Sequence, residues 1–502
     1  MQRKLATWTV DDPARRVDRL LRLITHPDWL REAAEITLSS RGANTPGVDG
    51  VTRLSLVYGL DAFLLKLRAE LLADRYQPSP ARRVYIPKPN GKQRPLGIPT
   101  LRDRIVQRAM LMAMEPIWEN DFHRLSYGFR PERSVHHAIR TVKLQLTDNH
   151  ETRGRWVIEG DLSSYFDTVH HRLLMKCLRK RISDKRFLNV LWLTIKAGHV
   201  DRGLFRASSE GVPQGGVISP LLSNIMLNEF DQYLEARYLS KKARKDRWYW
   251  NHSIKIGRAP AIAENRQWKP AVAYCRYADD FIVIVKGCKA EAEAIRDECR
   301  EFLEGRLKLT LNMDKTRVTH VNDGFVFLGH RLIRKRGPRG TMRVVSTIPR
   351  EKAKNFAVGL SMLLSGNHST SKIDMVEALN RKLKGWATFY QYTDFTAKIY
   401  SHIDRVVFWK LAHWLARKHR SRIKPLLRKW CKRPAPGLAK IWVLFGKTDR
   451  GHLHGAVLSR LVGSRKMQFR WRLPEANPYL RLEERNTVTS RFADVAMALS
   501  HC

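Results

Sequence analysis

Two adjacent carboxylates, Asp279 and Asp280, lie between two short runs that are rich in β-branched and aromatic residues. Two like charges side by side repel each other unless a cation neutralises them. Two-metal phosphoryl-transfer sites use such carboxylates to hold Mg²⁺ ions, which stabilise the attacking and leaving oxygens. The pair therefore indicates a candidate metal site for phosphoryl transfer. A solvated polar turn is the alternative for an Asp-Asp pair taken alone.

A third carboxylate, Asp161, lies at the end of a predicted strand. The run Trp156–Leu162 is predicted to form a buried strand, and Ser163–Asp167 then turns into a predicted helix. Ligands collect beside the carboxyl ends of strands in open sheets. Asp161 is thus the candidate third carboxylate of the metal site. A residue that only caps the approach to the helix is the alternative.

Cations cluster on a predicted hairpin upstream of these carboxylates. Residues 89–91 (Pro-Asn-Gly) predict a turn between two extended segments, and Pro87, Pro89 and Pro95 exclude a regular central strand there. The cations on or near this hairpin are Lys88, Lys92, Arg94 and Arg102. Lysine binds phosphate as a point charge and arginine as a fork, so the hairpin is a candidate clamp for a triphosphate.

A glycine-rich turn, Glu210–Pro220, leads into a predicted helix at Leu221–Leu234. Gly215 and Gly216 allow a backbone to come close to a ligand, and Gln214 offers both a donor and an acceptor. A turn that opens onto a helix N-terminus suits a nucleotide phosphate. The turn is therefore a second candidate nucleotide contact.

Hydrophobic periodicity predicts the elements that position these residues. Ala271–Tyr277 and Phe281–Val285 are predicted strands, and Ala278–Asp280 is the tight turn between them. Other segments have helical periodicity. The predicted helices include Pro13–Leu38, broken near Pro27, then Ile105–Trp118, Ser134–Leu146, Ala290–Leu307, Phe356–Leu364, Met375–Tyr390 and Tyr400–Lys418.

The charge of the chain predicts a polyanionic partner. The 502 residues carry 92 Lys+Arg against 48 Asp+Glu, a net charge of +44, and the excess extends along the whole chain. Neutralising phosphates releases counterions and gives salt-dependent binding. No stretch approaches the roughly 20 apolar residues that span a bilayer. The N-terminus lacks an apolar signal core and the six cysteines lack CxxC spacing, so a cytoplasmic protein with free thiols is expected.

A basic insertion at residues 236–270 combines cations with aromatic side chains. The cations include Lys241, Lys242, Arg244, Lys245 and Arg247, and the aromatics are Trp248, Tyr249, Trp250 and Trp268. Cations interleaved with aromatics are typical of a groove that binds single-stranded nucleic acid. A solvated loop would explain the charges but not the four aromatic residues.

Seven motifs in order resemble those of reverse transcriptases encoded in bacterial group II introns. They are Asn44–Gly50, YIPKPNGKQRPLGIP from Tyr85, SYGFRP from Ser126, GDLSSYFD from Gly160, GVPQGGVISPLLSN from Gly211, YADD at Tyr277–Asp280 and FVFLGH from Phe325. The segment Leu379–Gln391 resembles the thumb or maturase motif that follows in this family. The resemblance covers roughly residues 42–392.

The resemblance implies roles for particular residues. Asp161 and Asp279 would ligate two catalytic Mg²⁺ ions with help from the Leu162 carbonyl, and Asp280 would complete the acidic triad. The nucleotide contacts would be Lys88 and Arg94 on the triphosphate, Gln214 and the Gly215 backbone beside the nucleotide, and Phe166 as the sugar gate. A bulky ring at the gate blocks a 2′-hydroxyl and so selects deoxynucleotides.

The resemblance also implies an α+β fold shaped as a right-hand polymerase, with fingers, a palm built on an antiparallel sheet, and a helical thumb. The implied domains are a basic helical N-terminal extension (1–41), fingers and palm (42–345), thumb or maturase domain (346–421) and a basic, DNA-binding C-terminal region (422–502). Expected partners are an RNA template, in particular a group II intron RNA, and a DNA primer or target. The sequence sets no oligomeric state.

The sequence departs from the family pattern at one point, and two alternative functions stay open. Many intron-encoded relatives end in an endonuclease domain with paired cysteine and histidine ligands, whereas Cys431 and Cys502 stand alone here, so no target-cutting nuclease is expected. A splicing-only maturase would act as an RNA chaperone, but a pure binder has no need of the three aspartates. A domesticated enzyme in phage defence or DNA repair would use the same chemistry.

Overall fold

The structure is a computed structural model of the 502-residue chain. It describes residues 1–87, 91, 93–146, 155–244, 270–336, 342–366, 368–464, 469 and 477–481. Three sequence predictions fall wholly or partly outside these ranges. They are the hairpin turn at Pro89 and Asn90, the hairpin cations Lys88 and Lys92, and the nucleic-acid groove. The undescribed groove residues are Lys245, Arg247, Trp248, Tyr249, Trp250 and Trp268.

The described residues form helices and mainly antiparallel sheets, which confirms the α+β class and is consistent with a right-hand polymerase. The helices are Gln2–Asp11, Leu20–Ile24, Pro27–Leu38, Leu60–Leu72, Leu101–Trp118, Val135–Leu146, Tyr165–Thr168, His171–Arg179, Lys185–Lys196, Ser219–Leu234, Lys289–Phe302, Arg350–Leu363, Lys372–Phe389, Ala397–Lys418 and Ile423–Trp430. The strands are β1 Ala81–Pro87, β2 Gln93–Ile98, β3 Arg155–Gly160, β4 His199–Asp201, β5 Leu204–Arg206, β6 Ala271–Tyr277, β7 Asp280–Lys286, β8 Arg317–His320, β9 Phe325–Phe327, β10 His330–Arg336, β11 Met342–Thr347, β12 Cys431–Lys432, β13 Ile441–Lys447 and β14 Leu453–Val457.

The chain divides into two compact units. The first comprises Met1–Ala138, Thr152–Val318 and Arg472–Cys502, and the second comprises Ile139–Glu151 and Thr319–Trp471. One hydrophobic core extends from Leu5 to Leu311 and the other from Ile348 to Leu461. Each unit therefore buries its own apolar side chains.

The sheet with strand order β6-β7-β3-β8 carries the aspartate pair. Strand β7 pairs antiparallel with β6 and with β3, and residues 281–285 are all buried. A strand covered on both faces needs a continuous apolar run, which explains FIVIV. The predicted strand–turn–strand is confirmed, with one change: Asp280 is the first residue of β7 and pairs with Tyr277, so the turn contains only Ala278 and Asp279.

The predicted hairpin near residue 90 belongs to a second sheet of the first unit, with strand order β2-β1-β4-β5. Strand β2 contains Pro95, which has no N–H to donate, and it lies at the edge of this sheet. The Gly97 N–H donates to the Gln214 carbonyl at 2.7 Å. The cationic hairpin and the glycine-rich turn are therefore joined through their backbones.

Among the residues that the structure describes, the second unit combines two small sheets with the four helices between Arg350 and Trp430 and with most of helix Val135–Leu146. Strands β11-β10-β9 form one sheet and β12-β13-β14 the other. Leu426 and Trp430 of the last helix and Trp442 of β13 lie in the same core as the preceding helices. The predicted domain boundary at 421/422 thus runs through this core. None of the helices in the described ranges is long and apolar enough to span a bilayer.

The N-terminal segment differs in detail from its prediction. The structure has helices at Gln2–Asp11, Leu20–Ile24 and Pro27–Leu38, and the predicted helix from Pro13 is absent as far as Arg19. Arg19 has φ +54°, and the Val17 N–H donates to the Arg181 carbonyl at 2.7 Å. This tertiary contact overrides the helical periodicity, so residues 12–19 of the N-terminal extension are not helical.

Candidate active site

The aspartate pair lies in a two-residue hairpin turn with unusual backbone geometry. Ala278 has φ +57°, a left-handed conformation that favours glycine and strains a residue with a Cβ. Such strain persists only where the surrounding structure holds the residue in place. Ala278 is 5% exposed, so the packing around it can supply that restraint.

A buried ion pair beneath the turn supplies one restraint. Arg276 and Asp231 have no exposed side-chain surface and are joined by two hydrogen bonds, 2.8 Å from Nε and 2.5 Å from Nη2. Arg276 Nη1 also donates to the Ala278 carbonyl and to Asn224 Oδ1, both at 2.9 Å. The Tyr274 hydroxyl donates to the same aspartate at 2.7 Å. The turn is thus tied to a fully satisfied polar network.

Gly128 of the SYGFRP motif supplies a second restraint. Tyr127 N–H donates to the Arg276 carbonyl at 2.9 Å, which brings this segment alongside β6. A Cβ on Gly128 would collide with the Ala278 nitrogen and would lie 2.9 Å from the Tyr277 carbonyl carbon. Only glycine therefore lets the segment pack this closely against the turn.

Asp161 follows the last residue of β3, beside the same turn. Its carboxylate accepts a hydrogen bond from Lys315 Nζ at 2.9 Å, and its backbone carbonyl accepts one from the Asn312 N–H, also at 2.9 Å. A Cβ on the preceding Gly160 would collide with the Phe281 ring. Asp161 is therefore held between the strand end and the segment that carries Lys315.

The three aspartates interact electrostatically. Loss of solvent raises the pKa of Asp279, and the Asp161 charge raises it further. Asp280 is exposed as a residue, but its carboxylate is crowded by protein atoms. That desolvation, followed by the charges of Asp279 and Asp161, raises the pKa of Asp280 to about 6. Carboxylates that disfavour one another's ionised forms constitute a site that a cation would stabilise.

The carboxylate oxygens of the aspartates suit a hard divalent cation, although these side chains alone do not supply all the ligands that such an ion needs. Within the described ranges, no three carboxylate, imidazole or thiol side chains are grouped so that they could hold one metal ion. Mg²⁺ is commonly bound by one or two carboxylates together with substrate phosphates and water, so a closed protein cage is not required. Leu162, the predicted carbonyl ligand, is buried and forms a β-bridge with Leu311.

Two of the predicted nucleotide contacts meet each other near Asp279. With its amide oxygen turned toward Arg94, Gln214 accepts from Arg94 Nη2 at 2.7 Å and from Nε at 3.1 Å, and it donates to the Pro95 carbonyl at 2.8 Å. The Arg94 charge also counteracts the rise in the pKa of Asp279. The structure thus brings Arg94, with Gln214 as its partner, close enough to Asp279 to act on its charge.

The glycines of the turn have structural partners. Gly215 has φ +114°, and a Cβ there would lie 2.5 Å from the Gly97 carbonyl oxygen. A Cβ on Gly216 would lie 2.6 Å from Ser219 Oγ. Among the described residues, Gly215 therefore allows the turn to pack closely against β2, and Gly216 allows it to pack closely against the start of the following helix.

Two other cations, one near the predicted hairpin and one in the SYGFRP motif, have structural partners. Arg102 pairs with Glu70 and donates to the Gln77 carbonyl at 2.9 Å, so it stabilises the start of its helix. Arg130 is buried and pairs with Glu119 at 2.6 Å. A helix-start arginine looks the same in sequence whether it is solvated or buried, because its partners are distant in the chain.

Sequence reasoning missed three residues of the site: Arg276, Asp231 and Lys315. Arg276 and Lys315 were hidden in a chain with 92 basic residues. A charged residue inside the apolar run AVAYCRY was the available signal for Arg276, because a buried charge requires a partner. Nothing local identified Asp231 as that partner.

Comparison with known proteins assigns the family. Residues 86–332 match the family described as Reverse transcriptase (RNA-dependent DNA polymerase), and residues 354–433 match the Group II intron, maturase-specific domain. Protein YkfC of Escherichia coli (strain K12) is 77% identical over 364 residues, which cover 72% of this chain and 96% of that protein.

Two further relatives carry intron functions in their names. The Group II intron-encoded protein LtrA of Lactococcus lactis subsp. cremoris is 30% identical over 400 residues, which cover 73% of this chain and 65% of that protein. Nuclear intron maturase 1, mitochondrial, of Arabidopsis thaliana is 26% identical over 296 residues, covering 47% of this chain and 41% of that protein. The chain therefore belongs to the family of group II intron-type reverse transcriptases, in which an RNA-dependent DNA polymerase domain precedes a maturase-specific domain.

Proposed function

We propose that this chain extends a DNA primer on an RNA template at the hairpin that carries Asp279 and Asp280. The observation that carries the proposal is that the charge of Asp161, just after β3, acts on Asp279 in the turn and on Asp280 at the start of β7, while Arg94, paired with Gln214, acts on Asp279. Arg94, whose charge acts on Asp279, would bind the triphosphate, and the aspartates would hold its metal ions. Positioning and charge stabilisation are most of what phosphoryl transfer requires.

Two Mg²⁺ ions are the metals we assign to the site. Asp161 and Asp279 would hold them, with the Leu162 carbonyl assisting and Asp280 completing the triad. Bound Mg²⁺ would supply Lewis-acid stabilisation of the charge on the transferring phosphoryl group. Desolvation and neighbouring carboxylate charges raise the pKa of both Asp279 and Asp280, and this supports the assignment because a bound cation would favour their ionised forms.

The predicted nucleotide contacts would hold the incoming nucleotide by its triphosphate and by its sugar. Arg94 would contact the triphosphate as a fork, with Lys88 as a second cation from the same hairpin. Gln214 keeps the Arg94 guanidinium oriented, and the Gly215 backbone would lie beside the nucleotide. Phe166 is 9% exposed on the short helix after Asp161, and we assign it as the sugar gate.

The reaction transfers a nucleotidyl group. The primer 3′-oxygen attacks the α-phosphorus and forms a new O–P bond while the bond to the β-phosphate oxygen breaks. The pyrophosphate leaves with the bonding electron pair, and the hydroxyl proton passes to solvent. Asp161, Asp279 and Asp280 would supply the negative charge of the site, and Arg94 would supply positive charge for the triphosphate.

The second unit supports an RNA-binding role beside polymerisation. Its residues 354–433 match the maturase-specific domain, so we propose that it binds a group II intron RNA and assists splicing and mobility. The site of action would be the bacterial cytoplasm next to the nucleoid. A splicing-only maturase and a domesticated enzyme in defence or repair remain the competing functions. The metal-suited aspartates favour an active polymerase over the first of these.

Asp279→Ala tests the proposed function. The variant should lose detectable primer extension on an RNA template with Mg²⁺, because the site loses a carboxylate that no other group replaces. The measurement is cDNA yield with deoxynucleotides, and exposed Asp18→Ala is the matched control that should extend normally. Near-normal cDNA synthesis by Asp279→Ala would contradict the proposed site.

A further inference from the structure

The backbone of the sugar-gate helix Tyr165–Thr168 is bound to the start of the glycine-rich turn. The Val212 N–H donates to the Phe166 carbonyl at 2.7 Å, and the Gly211 N–H donates to the Val169 carbonyl at 2.8 Å. Gly211 and Val212 are buried and immediately precede the segment that carries Gln214. The candidate gate and the candidate nucleotide turn are therefore one hydrogen-bonded structure.

Gly211 allows this close approach. Its φ is +87°, and a Cβ there would lie 2.8 Å from the Asp167 carbonyl oxygen and 2.9 Å from the Phe166 carbonyl oxygen. Both neighbours are backbone atoms, which cannot move aside as a flexible side chain can. Any side chain at position 211 would therefore push the gate helix away from the turn.

His171 fixes the same glycine from the other side. Its Nε2 lies 2.6 Å from the Gly211 carbonyl oxygen, which can only accept, so Nε2 carries the proton and donates. The ring is 4% exposed and lies edge-on to Trp192 at 6.0 Å. Gly211 is thus held through its N–H and its C=O, between Val169 and His171.

We propose that Gly211 and His171 are positioning residues that set the distance of the Phe166 ring from the nucleotide sugar, and so determine discrimination between deoxy- and ribonucleotides. The inference rests on the proposed function, in which Phe166 is the gate. A steric gate discriminates by distance, since a displacement of a few tenths of an ångström decides whether a 2′-hydroxyl fits beside the ring. Neither residue needs to touch the nucleotide for this effect.

The experiment measures single-nucleotide incorporation of dATP and of ATP by the full chain on an RNA template. Gly211→Ala and His171→Phe should lower the ratio of the two efficiencies by about tenfold or more, which corresponds to about 1.4 kcal/mol. His171→Gln keeps an N–H donor of similar reach and should restore most of the ratio. Phe166→Val is the reference variant whose gate is removed.

Matched controls separate the gate from general damage to the fold. Gly203→Ala introduces the same backbone strain at φ +84°, but its Cβ would meet no atom within 4 Å. His170→Ala removes the N-cap of helix His171–Arg179, where His170 Nδ1 accepts from the Leu173 N–H, and it leaves Gly211 untouched. Both controls should keep the discrimination ratio within about twofold of the parent chain.

The outcomes distinguish this inference from the proposed function. If the parent chain extends no primer, the proposed function fails and the inference falls with it. A second outcome is that the parent chain discriminates between dATP and ATP and Phe166→Val does not, while Gly211→Ala and His171→Phe slow the incorporation of both nucleotides equally. That outcome overturns the inference and leaves the proposed function standing. If Gly211→Ala does not fold, as judged by circular dichroism, the His171 pair of variants decides.

Discussion

Asp280 occupies the exposed first position of β7. The pKa of its carboxylate is raised further above the ordinary aspartate value than the pKa of Asp279. Desolvation and the neighbouring charges of Asp279 and Asp161 raise its pKa to about 6. An acid whose folded-state pKa is raised destabilises the fold while it is ionised, which is the case above pH 6. That destabilisation shrinks as the pH falls below 6, and it disappears only below the ordinary aspartate pKa of about 4, where the unfolded chain is protonated as well.

A pH-dependent stability difference follows at the residue scale. Without divalent cations, Asp280→Asn should raise the free energy of unfolding at about pH 7.5 and should have little effect at about pH 3.5, below the ordinary aspartate pKa. The gain should stay below about 1 kcal/mol because the residue is exposed and solvent screens the charge. Thermal unfolding at both pH values measures it, and equal gains at both would contradict the charge repulsion. Added Mg²⁺ should stabilise the parent chain more than the variant.

The elements around the turn decide its geometry, and Gly128 shows this most directly. Gly128→Ala should lower the extension rate by about 10²-fold, because displacing a catalytic group by about 1 Å has effects of that size. The secondary structure seen by circular dichroism should be retained. Gly359→Ala is the control, since a Cβ on Gly359 would meet no atom within 4 Å. Equal extension rates for both variants would refute the close-packing argument.

The Arg276–Asp231 pair tests whether the element beneath the turn has a role beyond stability. Arg276→Met should cost about 3–5 kcal/mol, because it leaves a buried charge without a partner. Adding Asp231→Leu should recover most of that stability, since an apolar pair can replace a buried ion pair. Extension should stay low in the double variant, because the Ala278 carbonyl has lost its donor. Recovery of activity together with stability would mean that the pair is only structural.

At the scale of the whole molecule, charge governs association with RNA. The net charge of +44 is distributed along the chain, so many phosphates would be neutralised in a complex. RNA affinity should fall by about 10³-fold or more between about 50 mM and 200 mM salt, as expected for six or more phosphate contacts. Filter binding across a salt series measures the slope. A flat dependence would contradict an electrostatic footprint.

The second hydrophobic core changes how the C-terminal region is divided. The Trp442 side chain has no exposed surface, and its indole N–H donates to the Phe408 carbonyl at 3.1 Å. Strand β13 therefore completes the core of the helices before it. The sequence analysis began a separate region at residue 422, because composition does not reveal which apolar side chains find partners.

The sequence by itself determined the chemistry and the local elements of this protein. Adjacent aspartates between β-branched runs predict a hairpin, because alternation and turn formation depend on neighbouring residues. Asp161 at a strand end, the cationic hairpin and the glycine-rich turn were identified in the same way. The ordered motifs then indicated the family that the comparisons confirm.

Only the tertiary structure decided which residues hold the site in place. Arg276 and Asp231 are 45 positions apart, and Lys315 and Asp161 are 154 apart. Gly128 lies against the Ala278 backbone, and Gly211 against the gate, through contacts that no local pattern encodes. The physical reason is that burial and pairing arise when distant segments close around a core. A residue's partner is therefore a property of the folded chain and not of its neighbours in sequence.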